Sequence, residues 1–127
     1  MGNVRMETIM DLKQHLVRQM VFSRATFGPG PRTEGVSDHI VKELAEVKNA
    51  VGYARKQEWA DVAILALDGL TREIWAAGNY AITADEAANT AVYLIVEKQA
   101  KNERRDWPDW RTADPNKAIE HERGKHD

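Results

Sequence analysis

Glu43 and Glu46 stand three residues apart, and so do Glu58 and Asp61. Both pairs fall in the most apolar stretch of the chain, residues 42 to 69, KELAEVKNAVGYARKQEWADVAILALDG. An ionised carboxylate is costly to bury alone. Several held close together also repel one another, so some take up protons. A divalent cation that prefers oxygen ligands relieves both costs, and Mg²⁺ and Mn²⁺ have that preference. Two such pairs on adjacent helices can converge on one or more ions.

Helical residues advance about 100° each. On a helix through Val36, Ile40, Leu44, Val47 and Val51, Glu43 falls within the apolar stripe and Glu46 at its edge. On the next helix, Glu58 and Asp61 share an arc with Val62, Ile64 and Leu65, and Asp68 lies on the same side. A fourth helix carries Ala84, Ala87, Ala88, Ala91 and Ile95 on one face, and that face continues into Lys98, Asn102 and Arg105. An ion-loaded acidic patch and a basic patch facing one cleft describe a polyphosphate site. The ions hold phosphate oxygens and activate water, while Lys and Arg neutralise the remaining charge.

The elements that must position these residues read as helices. Ile9, Leu12, Leu16 and Met20 predict a first helix over 7–22. SRATFGPGPRTEG, residues 23 to 35, predicts a loop, with Phe27 in it as an anchor or a ligand contact. The second helix runs from Val36 to about Val51, and GYARKQ, residues 52 to 57, predicts a turn. The third helix, 57–77, is apolar on nearly every side and is expected to be central. Gly78 and Asn79 stop it, and TADE at 83 to 86 predicts a capping box. The fourth helix runs to about Arg105 before Pro108, and a polar extension over about 107–127 includes a short helical turn near Ala118 to Glu122. The expected architecture is all-α, a four-helix bundle in a single domain, 1–127.

Composition narrows the function. With 127 residues and a net charge of −2, the chain has no general affinity for nucleic acid or acidic membranes. It has no cysteine, which excludes disulfides, thiolate zinc sites and cysteine nucleophiles. No apolar run reaches the ~18 residues of a membrane helix. The charged N-terminal stretch does not read as a signal peptide, and Met6 stands where a myristoylation signal needs Ser or Thr. A cytoplasmic location is expected. His15, His39, His121 and His126 show no metal spacing, and neither acid pair has the Glu-x-x-His form of a di-iron bundle.

Solvated readings stand beside these. Acids at i, i+3 are common on wet helix faces, and Lys98 and Arg105 suit a helix C-terminus on dipole grounds alone. Asp68 fits either a site or a surface acid before Gly69. Trp107 and Trp110 are expected to plug the core or an interface.

The blocks TFGPGPRTEGVSDHIVKELAEV, EWADVAILALDG, KNERRDWPDWR and AIEH, in that order, resemble the dATP/dGTP diphosphohydrolase family common in phages. ELAE followed by EWAD resembles the ExxE…ExxD signature of the wider MazG-like all-α pyrophosphohydrolase superfamily. The similarity runs from about residue 20 to 123. The family includes the MazZ-type enzymes of phages whose DNA carries 2-aminoadenine in place of adenine. The resemblance implies that Glu43, Glu46, Glu58 and Asp61 bind catalytic Mg²⁺ or Mn²⁺, and that Lys98, Asn102 and Arg105 contact phosphate or sugar. It places the TFGPG segment beside the nucleotide, with Phe27 stacking on the base. It implies hydrolysis of a purine deoxynucleoside triphosphate, dGTP first and dATP second, by a dimer or dimer of dimers in the cytoplasm of the cell or phage host. A house-cleaning pyrophosphohydrolase for non-canonical nucleotides and a non-catalytic helical adaptor are the alternatives.

Overall fold

The structure, a computed structural model, describes residues 10–78 and 81–123. Ile9, Asn79 and His126, each used above, lie outside the described residues. Four helices follow in order: α1 Leu12–Phe27, α2 Thr33–Asn49, α3 Gly52–Ala77 and α4 Ala84–Arg104. There is no strand among the described residues, as the all-α expectation requires.

Local chemistry sets the helix ends. Asp11 caps α1 by accepting from the Gln14 N–H at 2.8 Å, and the Gln14 side chain accepts from the Asp11 N–H at 3.1 Å. The helix does not stop at residue 22 as predicted. SRATF continues it to Phe27, and Gly28, at φ 91°, ends it. Ser and Thr weaken a helix only slightly, whereas Gly-Pro-Gly cannot continue one. Phe27 is therefore the last helical residue rather than a loop residue. The capping box at the start of α4 is as expected: the Glu86 N–H donates to Thr83 Oγ1 at 3.1 Å and the Thr83 N–H to Glu86 Oε1 at 3.2 Å.

The turn expected over GYARKQ is instead helix. The corner between α2 and α3 needs only Ala50 and Val51, because Gly52 takes φ 59°, a left-handed conformation that costs other residues energy. Arg55, read as part of the turn, sits inside α3 and reaches back. Its Nε donates to the carbonyls of Val47 at 3.1 Å and Ala50 at 2.8 Å, serving acceptors that the end of α2 leaves open.

The chain divides into two compact units between Val92 and Tyr93. In the first, α3 packs along α2 and against α1. Leu16, Ala88 and Ala91 are fully buried, with Val17, Leu67, Leu70, Ile74 and Val92 packed around them. The small residues of the α4 stripe thus let its first half approach closely. The central place of α3 agrees with expectation, but its buried residues are polar: Asp68, Thr71 and Arg72. Trp59 and Ile64 remain exposed.

The second unit holds the end of α4 and the following segment. Trp107 Nε1 donates to the Asn102 carbonyl at 2.7 Å, and its ring meets His121 edge-on at 5.5 Å. Trp110 is exposed and lies against Arg111 at 5.1 Å rather than in a core. The helical turn expected near residues 118 to 122 is absent. Instead, the Glu122 N–H donates to the Asp106 carbonyl at 2.7 Å. Asp109 and Asp114 instead nucleate turns before it, accepting from the N–H groups of Arg111 at 3.0 Å and Asn116 at 2.9 Å.

Candidate metal centre

Antiparallel packing of α2 on α3 brings the end of one helix beside the start of the other, so ELAE meets EWAD. Carboxylate oxygens of Glu43, Glu58 and Asp61 all lie within 4.8 Å of one another. Glu46 neighbours Glu43 and Glu58 closely enough to raise the proton affinity of both. The two helices therefore draw all four predicted acids together.

They differ in environment. Glu43 and Glu58 are half-buried, while Glu46 and Asp61 are exposed. Burial raises the Glu43 carboxyl above its ordinary value; a hydrogen bond with Glu58 works the other way, and Glu46 and Asp61 add to the rise. Hydrogen bonding to Glu43, then to Glu46, followed by burial, raises Glu58 to about 7. The Oε2 atoms of Glu43 and Glu58 are buried with no hydrogen-bond partner.

Carboxylates from two helices, crowded enough to raise one another's proton affinity and carrying buried unpartnered oxygens, form a donor set suited to a hard divalent cation. The residues present fit Mg²⁺ or Mn²⁺. His39, one turn before Glu43, adds an Nε2 at 3.5 Å from Glu43 Oε1. Its i, i+4 relation to Glu43 was visible in the sequence, although it has no second histidine to make a metal pattern.

The other predicted site residues are placed as follows. Phe27 is about half exposed at the end of α1, with the Arg32 guanidinium 5.6 Å from its ring centre and Phe22 edge-on at 6.4 Å. In the second unit, Lys98 is exposed, and half-buried Asn102 accepts from Arg105 Nη1 at 3.0 Å through its side-chain oxygen. Asp68, open above between site and surface, is buried and paired with Arg72.

Arg72 is the residue that sequence reasoning missed. Its Nη1 donates to the carbonyls of Gly28 at 2.9 Å and Gly30 at 2.8 Å, and its Nη2 to Ser23 Oγ at 2.9 Å. It thereby fixes the FGPG segment that leads into α2. Its i, i+4 spacing from Asp68 is the one signal the sequence held.

No helix among the described residues is long and apolar enough to cross a membrane. Residues 16–125 match the model of a family described as dATP/dGTP pyrophosphohydrolase. No curated protein and no solved structure matches the chain.

Proposed function

The chain belongs to the dATP/dGTP pyrophosphohydrolase family, and on that premise we propose that it hydrolyses a purine deoxynucleoside triphosphate, dGTP before dATP, at the acidic cluster of α2 and α3. The observation that carries this reading is the convergence of Glu43, Glu58 and Asp61 within 4.8 Å. Water and the triphosphate give the monophosphate and pyrophosphate.

Glu43, Glu46, Glu58 and Asp61 would hold Mg²⁺ or Mn²⁺. When bound, such an ion neutralises phosphate charge and acidifies water. Glu46, exposed at the rim, takes the proton from the attacking water as its oxygen bonds to phosphorus and the α–β phosphoanhydride breaks. Glu43 and Glu58, half-buried, keep their carboxylates aimed inward. Phe27 is proposed beside the base. Lys98, Asn102 and Arg105 are proposed as phosphate or sugar contacts on the grounds of charge and family pattern. No covalent intermediate is needed.

Val21, Phe22, Val41 and Trp59 are all more than half exposed. That much apolar surface on one chain supports assembly as a dimer or dimer of dimers. In a phage with 2-aminoadenine DNA, the product dGMP would feed synthesis of the unusual nucleotide.

A panel of deoxynucleoside and non-canonical triphosphates with Mg²⁺, read by pyrophosphate release, tests the proposal. dGTP and dATP should lead the panel. Preference for a damaged nucleotide would favour the house-cleaning role, and release from none would favour the adaptor.

A further inference from the structure

One turn beyond the acids, the α2–α3 groove opens into a cavity of about 260 Å³. Val36, Ile40, Leu65 and Leu70 supply apolar walls, and Gly69 lines it without a side chain. Arg32, Thr33 and Glu73 supply polar groups to the lining. Ile40 is three residues before Glu43 and Leu65 four after Asp61, so the cavity begins about 5 Å along each helix from the cluster. Glu73 is twelve residues beyond Asp61, about 18 Å along α3, within reach of an extended nucleoside triphosphate. An apolar cavity with a few polar groups, one helical turn from the acidic cluster along the same two helices, has the form of a base pocket.

Its polar groups are held in place. The Thr33 hydroxyl donates to Glu73 Oε1 at 2.9 Å. The Arg32 guanidinium lies against the Phe27 ring and over Gly35, where an added Cβ would stand 2.8 Å from Nη2. Gly35 thus leaves room for Arg32, and Phe27 steadies it.

We propose that this cavity receives the purine base and that Glu73 selects guanine over adenine. The inference rests on the function proposed above. Guanine presents two donors on one edge, the N1–H and the 2-amino group, to which a carboxylate is complementary. Adenine presents an N1 lone pair there and no amino group at C2, so the carboxylate meets it acceptor to acceptor. Arg32, a donor only, suits the O6 and N7 acceptors of guanine and opposes the 6-amino group of adenine. Both residues therefore act in the same direction.

The test is kcat/KM for dGTP and dATP in the wild-type protein and in Glu73→Gln. Glu73 is exposed, so the change is mild for folding, and a melting curve checks this. The wild type should prefer dGTP. Glu73→Gln should lower kcat/KM for dGTP about tenfold to a hundredfold and leave dATP within about threefold. An unchanged dGTP-to-dATP ratio, whether both rates persist or both fall equally, would overturn the base assignment while leaving the hydrolase reading intact. That ratio would hold if a second copy of the chain filled the cavity. A wild type that hydrolyses neither nucleotide would instead overturn the function beneath it.

Discussion

Asp68 and Arg72, both less than a tenth exposed, form an ion pair across one turn of α3, with Arg72 Nε donating to the two carboxylate oxygens at 3.1 and 3.0 Å. The remaining guanidinium donors serve the carbonyls of Gly28 and Gly30 and the hydroxyl of Ser23. The pair is thus a strut between α3 and the segment joining α1 to α2. Asp68→Ala leaves a buried cation without its partner and should destabilise the protein by about 3–5 kcal/mol in denaturant unfolding. Arg72→Met should cost at least as much, because it also strands the carbonyls.

The crowded acids make the metal-free protein sensitive to pH. The folded-state value of Glu58, about 7, lies above its unfolded value of 4.5, and Glu43 is shifted in the same direction. The folded state therefore binds more protons than the unfolded state in that window, and stability falls as pH rises. Their contribution is fully present below about 4.5 and lost above about 7. Melting curves in chelator should show this fall, and Glu58→Gln should flatten it.

Divalent ions should reverse that loss. An ion that binds only the folded state raises stability by about 2.7 kcal/mol at a hundred times its Kd. Mn²⁺ should therefore raise the melting midpoint at pH 7.5, and the rise should vanish in Glu43→Gln and in Asp61→Asn. A midpoint unmoved by Mn²⁺ in the wild type would count against a metal centre.

The two-residue corner between α2 and α3 sets the register in which ELAE meets EWAD. Gly52→Ala places a side chain at φ 59° with nothing within 4 Å of its Cβ, so only backbone strain opposes it. The expected cost is about 1–2 kcal/mol, read by thermal unfolding. Arg55→Ala should add to it by freeing the carbonyls of Val47 and Ala50.

What the sequence made legible follows from periodicity. Of the stripes of α2 and α4, Val36, Val47, Ala87, Ala88 and Ala91 are buried as predicted, whereas Val51, at the corner after α2, is exposed. The two i, i+3 acid pairs needed only the antiparallel packing of neighbouring helices to meet. The breaks were harder. A glycine with a positive φ compresses a corner that reads as a longer turn, so Gly52 belongs to α3. Arg72 was illegible for another reason: its acceptors include Gly28 and Gly30, more than forty residues away, and nothing local marks an arginine for burial. In place of the Ala118 to Glu122 turn, the Glu122 N–H bonds the Asp106 carbonyl, a non-local acceptor that no spacing announces.

The central claim is that the carboxylates of α2 and α3 act together on a triphosphate, and pyrophosphate release from dGTP with Mg²⁺ tests it most directly. Glu43→Gln and Asp61→Asn should each retain the fold and lose at least about a hundredfold in rate. Either variant releasing pyrophosphate at the wild-type rate would contradict it.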